Sequence, residues 1–81
     1  MDRELTYGEK AVGLTFNPSN DAKVQKVKSL YAEIIDLLVN SGTPDIESER
    51  QREERLSLFT ESIRQAQTAQ MWAVKAITWK D

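Results

Sequence analysis

The spacing of the apolar residues limits the fold of this 81-residue chain most strongly, because it follows the period of an α-helix in two long runs. In the first run, steps of three and four separate Val24, Val27, Tyr31, Ile34 and Leu38. In the second, the same steps connect Leu56, Phe59, Ile63, Ala66, Gln70, Ala73 and Ile77. No stretch alternates apolar and polar residues for long, which strands would require. The pattern therefore predicts an all-α protein.

The first run predicts a helix over about 21–41. Pro18 interrupts the chain shortly before it, and either Asn20 or Asp21 can cap its N-terminus. Gly42 is a typical residue at the end of a helix.

The second run predicts a helix over about 46–79, which begins either at Thr43–Pro44 or at Ser48 with Gln51 as a capping box. Nine residues without an apolar side chain, 47–55, lie at its start and are interpreted as a solvated, charged helical turn. An antiparallel hairpin centred near residue 47 pairs apolar groups with apolar groups, and so it is favoured. In this register Leu38 faces Leu56, Ile35 faces Phe59, Tyr31 faces Ile63 and Val24 faces Gln70.

A short helix is predicted over about 6–12, because Thr6 and Glu9 match a capping box and Gly13 can end it. Too short to be stable alone, it is expected to dock on the C-terminal end of the long hairpin. Residues 1–81 are thus one domain.

The composition excludes most enzyme classes, because the chain contains neither cysteine nor histidine. Disulfides, thiolate nucleophiles and the usual zinc sites are absent, as is any side chain that ordinarily titrates near neutrality. The carboxylates form no catalytic pair, so neither a catalytic nor a metal site is predicted, and no cofactor. A chain this short also has a small core, which favours self-association.

The charge is uneven along the chain, although eleven basic and thirteen acidic residues give a net charge of only −2. Residues 1–28 carry +1, residues 29–61 carry −5 and residues 62–81 carry +2. In a hairpin, the two basic ends meet at one pole. A negative net charge without a long basic face argues against binding a DNA or RNA duplex.

At this pole the sequence 17–20 (NPSN) precedes a helix N-terminus, which favours anions. Basic and aromatic residues surround it: Tyr7, Lys10, Phe16, Lys23, Lys26, Trp72, Lys75, Trp79 and Lys80. Together they suggest a site for a phosphate and a base. The simpler alternative is that the loop is a turn and cap, that the lysines are solvated, and that Phe16, Trp72 and Trp79 belong to a core or an interface.

Residues 5–19 (LTYGEKAVGLTFNPS) and 66–79 (AQTAQMWAVKAITW) resemble a family of small phage proteins with a helical hairpin domain. This domain is shared by the anti-CBASS type 2 cyclic-oligonucleotide sponges and, more distantly, by an anti-Thoeris sponge. The resemblance covers both ends and the helix from Val24 to Leu38, but not the charged connection.

The resemblance implies a homo-oligomer, a hexamer, that holds cyclic di- or trinucleotides in pockets between protomers without degrading them. It implies ligand-binding roles for Tyr7, Phe16, Pro18, Ser19 and Lys26, with Lys10 and Lys23 as neighbours that compete for the phosphate.

Two functions follow as hypotheses. The first is a phage protein in the host cytoplasm that sequesters cyclic oligonucleotides and thereby blocks CBASS effectors. The alternative is a helical oligomer whose partner is another protein. Neither is an enzyme, and neither requires a membrane, because residues 1–10 are not a signal peptide and no apolar stretch is long enough to span a bilayer.

Overall fold

The computed structural model describes residues 3–42 and 48–81, and all of the regular structure within them is helical. Three helices follow in order: α1 (Tyr7–Ala11), α2 (Ala22–Val39) and α3 (Glu49–Thr78). Both α1 and α3 contact α2. The predicted all-α class, the two long helices and the short N-terminal helix are confirmed, with ends that differ from the predicted ones by one to three residues.

The helices begin where the local sequence offers caps. The Thr6 hydroxyl accepts from the backbone N–H of Glu9, whose carboxylate accepts from the N–H of Thr6 in return. Asp21, one of the two predicted candidates, caps α2 by accepting from the N–H of Lys23.

The start of α3 is a capping box between Ser48 and Gln51, which confirms one of the two predicted starts. The other alternative, Thr43–Pro44, the predicted start at residue 46 and the hairpin centre near residue 47 lie outside the described residues.

The core is small and centres on Ile35, which is fully buried beside Val12 and Ala32. Tyr31 of α2 and Ile63 of α3 pack against this cluster, as the predicted register requires. At the open end of the hairpin, Val24 lines one cavity together with Val74 and Thr78.

The position predicted for α1 is wrong: it docks on the C-terminal half of α2 and not on the C-terminal end of the hairpin. The Asp36 carboxylate accepts from the backbone N–H of Gly8 at 2.7 Å and from the Thr6 hydroxyl at 2.7 Å. Two hydrogen bonds to one charged acceptor fix α1 beside Asp36. Glycine at position 8 lets the two backbones approach closely.

An ion pair completes the N-terminal anchor. Arg3 donates to both carboxylate oxygens of Glu9, at 2.7 and 2.5 Å. These bonds, together with the N–H of Thr6, lower the pKa of Glu9 to about 2. Glu9 therefore stays ionised in its cap at all but strongly acidic pH.

The molecule is extended for its length. Its radius of gyration is 15.4 Å, whereas a compact domain of this length has one of about 12 Å. It exposes 6482 Å², whereas a compact 9.3 kDa monomer exposes about 5000 Å². Much apolar surface therefore stays in contact with solvent in the single chain.

Candidate functional site

The loop of residues 13–21, which joins α1 to α2, holds its shape through its own polar side chains. Asn17 donates from its side chain to the Asp21 carbonyl and accepts from the Ser19 hydroxyl, at 3.1 and 2.7 Å. The Ser19 hydroxyl accepts in turn from the Asp21 N–H at 3.2 Å. Asn20 has a positive φ of 55°, which asparagine tolerates better than most residues. The predicted turn and cap is thus present.

The side chain of Lys28, a residue of α2, connects this loop to the helix. Its side chain is 5 % exposed, and its ammonium group donates to the carbonyl of Gly13 at 3.0 Å and to the carbonyl of Phe16. The same nitrogen lies 5.6 Å from the centre of the Phe16 ring, within the range of a cation–π contact. The sequence alone gives no sign of this burial, because lysine side chains are rarely buried.

Residues of this loop line two concave surfaces. The loop groove is an open cavity of about 820 Å³, and its lining includes Leu14, Asn17, Asp21, Gln25 and Lys26. The loop pocket is a smaller cavity of about 210 Å³, lined by loop residues 16–19 together with Val24, Lys28, Val74 and Thr78. The groove falls within the usual size of a small-molecule site, whereas the pocket is smaller than such sites.

The predicted site residues are divided among these surfaces. Phe16, Pro18 and Ser19 line the loop pocket, and Lys26 lines the loop groove. Lys23 is exposed in the first turn of α2. These five lie on the loop or within the first turns of α2.

Tyr7 and Lys10 lie on α1, apart from the loop pocket. Tyr7 borders a cleft with Ile63, Arg64 and Gln67 near the middle of α3, whereas the loop pocket is bordered by Val74 and Thr78. Because a helix rises 1.5 Å per residue, the two positions are about 16 Å apart along α3. One chain therefore does not bring Tyr7 and Phe16 together.

The electrostatics of the helix N-terminus differ from the prediction. The Asp21 carboxylate occupies the cap of α2 and also lines the loop groove. A second anion at this N-terminus would meet a negative charge, so the helix end itself is a poor phosphate site. The exposed cation of Lys26, one turn further along α2, is better placed to bind one.

The tryptophans near the end of α3 are not core residues of the single chain. Trp72 and Trp79 are both exposed, and the Lys75 ammonium lies 5.4 and 5.7 Å from their ring centres. Lys75 lies three residues after one ring and four before the other, so helix geometry explains both contacts. Their exposure leaves an interface as the remaining structural alternative.

Neither a metal site nor a membrane span is found where the chain is described. Residues 3–42 and 48–81 contain no group of three or more acidic side chains placed to hold a metal ion. Within the same ranges, no helix has both the length and the apolar character needed to cross a bilayer.

Comparisons with protein-family models, with curated proteins and with solved structures found no match to this chain. What the chain binds must therefore be inferred from its own residues.

Proposed function

We propose that this protein binds and sequesters cyclic oligonucleotides, above all cyclic dinucleotides, without cleaving them. In an infected host cell, this sequestration would starve the nucleotide-activated effectors of a CBASS defence system. The proposal rests on the resemblance of residues 5–19 and 66–79 to phage sponges. The structural observation that supports it is one ordered loop that carries the exposed Phe16 ring and also lines a groove together with Lys26.

The chemistry of a cyclic dinucleotide suits this arrangement. Its bases offer flat faces, which stack on exposed aromatic rings such as Phe16. Its two phosphates carry negative charges, which Lys26 and Lys23 can neutralise. Ser19 and Asn17 already bond to each other, so they would shape the loop and contact the ligand through their remaining acceptor capacity.

The separation of Tyr7 from Phe16 supports a site built from two copies of the chain. The resemblance places both rings at the ligand, yet about 16 Å of α3 separates their positions in one chain. If Tyr7 of one copy faced the loop of another, both rings could reach one ligand. A nearly two-fold symmetric ligand between two-fold related copies would then make equivalent contacts at both ends.

Binding without cleavage requires no further chemistry. The chain has no histidine or cysteine to act as a base or nucleophile near neutral pH. Sequestration depends only on affinity and slow release, to which an ordered loop contributes by reducing the entropy lost on binding.

Isothermal titration calorimetry with 3′,3′-cyclic dinucleotides tests the proposal. We expect the wild-type protein to bind, and Tyr7→Ala to weaken binding by roughly tenfold or more, since one stacked base contributes about 1–3 kcal/mol. We also expect the oligomeric state to stay the same, which would separate a lost ligand contact from a disassembled site. Met71→Ala, which removes another exposed side chain outside the loop, is the matched control. Wild-type protein that binds no cyclic nucleotide would contradict the proposal.

A second candidate function, a helical assembly protein with a protein partner, is favoured by one specific surface. The open face consists of Leu30, Ile34 and Leu37 of α2, which helical spacing places on one side of the helix and which are all exposed. Ile34 and Asp36 lie 200° apart around α2, so this face is turned away from α1, which Asp36 binds. An exposed aliphatic stripe of this kind usually belongs to an interface.

The two candidates share a prediction about this face. We expect the double variant Leu30→Gln and Ile34→Gln to convert the oligomer into a helical monomer, as measured by analytical ultracentrifugation and circular dichroism. Met71→Gln, on α3, should leave the assembly intact. If the double variant remained fully assembled, the copies would associate through another surface. A monomer that still captures a specific protein from infected cells, and binds no nucleotide, would favour the assembly function.

A further inference from the structure

We propose that Lys28 is a positioning residue that presents the Phe16 ring to the ligand as a preformed stacking surface. This inference rests on the proposed function for its ligand, a cyclic dinucleotide. It goes beyond it by assigning a role to a buried lysine that does not need to touch the ligand.

The first observation is how Lys28 uses its hydrogen-bond donors. An ammonium group has three, and here two of them bond to the carbonyls of Gly13 and Phe16. The Phe16 N–H in turn donates to the Gly13 carbonyl at 2.9 Å. Lys28 therefore joins the two ends of the turn from residue 13 to residue 16 and holds both against α2.

The second observation is the contrast between the buried cation and the exposed ring. Phe16 is 70 % exposed, whereas Lys28 is 5 % exposed. A large apolar ring that stays in water does not pack the core of the single chain. Its backbone is nevertheless bonded to a buried charge, and its ring centre lies 5.6 Å from that charge.

These two observations together favour a role in ligand binding. An aromatic side chain on a mobile loop would lose conformational freedom when a base stacks on it, which reduces affinity. Because Lys28 holds the Phe16 backbone, this ordering is completed before the ligand arrives. Gly13 allows the turn that Lys28 holds to form, because its φ of 63° is a conformation that other residues rarely adopt.

The test compares Lys28→Met, which keeps most of the buried stem but removes the charge, with Arg52→Met, which removes a positive charge from an exposed position on α3. Hydrogen exchange without ligand is the first measurement. In Lys28→Met we expect faster exchange at the amides of residues 13–17, with the middle of α2 and α3 protected as in the wild type. Unchanged exchange in the loop, or an equal increase throughout the chain, would overturn the inference.

The second measurement is the affinity for a 3′,3′-cyclic dinucleotide. We expect Lys28→Met to weaken binding by about tenfold and Arg52→Met to leave it unchanged. A loosened loop with wild-type affinity would overturn the role in ligand presentation. If the wild type binds no cyclic nucleotide, the proposed function fails, whereas the exchange measurement still decides whether Lys28 orders the loop.

Phe16→Leu keeps the test decisive even if Lys28→Met does not fold. The exposed ring can be removed without opening the core, and the backbone carbonyl that Lys28 binds remains. This variant should lose affinity by about tenfold while its loop amides stay protected. Wild-type affinity in Phe16→Leu would overturn the inference.

Discussion

Replacing Gly8 with alanine is expected to destabilise the protein by about 1–3 kcal/mol, the usual cost of forcing an extra carbon into a packed contact. Gly8 lies within α1, where glycine is ordinarily less favourable than alanine by about 1 kcal/mol. Helix propensity alone thus predicts that the substitution stabilises the protein. Packing predicts the opposite, because an alanine Cβ would lie 2.8 Å from the Asp36 Oδ1 atom and closer still to the Ala32 carbonyl oxygen.

This clash would push α1 away from α2 and break the hydrogen bonds that hold α1 in place. Moving Gly8 away from α2 lengthens its N–H bond to the Asp36 carboxylate, and the Thr6 hydroxyl shares that carboxylate. Urea unfolding at fixed protein concentration, followed by circular dichroism, measures the effect. Gly42→Ala is the control, since a Cβ there meets nothing within 4 Å. A Gly8→Ala variant as stable as the wild type would contradict the docking of α1 described above.

Replacing Ile35 with alanine is expected to cost about 2–5 kcal/mol, the usual range for a buried isoleucine. Ile35 is completely buried among residues of all three helices and of the turn after α1. A domain of this length has a total stability of about 4–12 kcal/mol, so one substitution here removes a large part of it. We expect a clear shift of the urea midpoint to lower concentration.

The control for Ile35→Ala is Leu56→Ala, which shortens an aliphatic side chain that is already half exposed on α3. This change should lower the free energy of unfolding by about 0.5 kcal/mol or less. Equal losses in the two variants would show that the core is not centred on Ile35.

The helices could be predicted from the sequence because their signals are local. The capping boxes of Thr6 with Glu9 and of Ser48 with Gln51 each lie within four residues, and apolar steps of three and four define the buried faces. The packing of Tyr31 and Ile63 against one buried cluster followed from burying apolar groups against each other.

The docking of α1 could not be predicted, because it depends on contacts between residues far apart in sequence. Asp36 lies 28 residues from Gly8 and has the appearance of a solvated carboxylate on the helix surface. Only the folded backbone shows that it accepts two hydrogen bonds from α1 and its cap. The burial of Lys28 was missed for the same reason, since its acceptors are main-chain carbonyls that carry no mark in the sequence.

The candidate site was predicted in part. The turn of residues 17–20 and the aromatic and basic residues near it follow from local sequence, and the structure gathers Phe16, Pro18 and Ser19 at one pocket. The meeting of Tyr7 with this group depended on the predicted position of α1. Because α1 docks at Asp36 instead, Tyr7 lies beside the middle of α3.

Native mass spectrometry with and without a panel of cyclic di- and trinucleotides tests the central proposal most directly, because one spectrum reports both the size of the assembly and the ligands bound to it. We predict an oligomer that gains a whole number of cyclic nucleotides, each recovered at its original mass after the protein is denatured. A protein that gains no nucleotide, or that returns the ligand hydrolysed, would contradict sequestration by this protein.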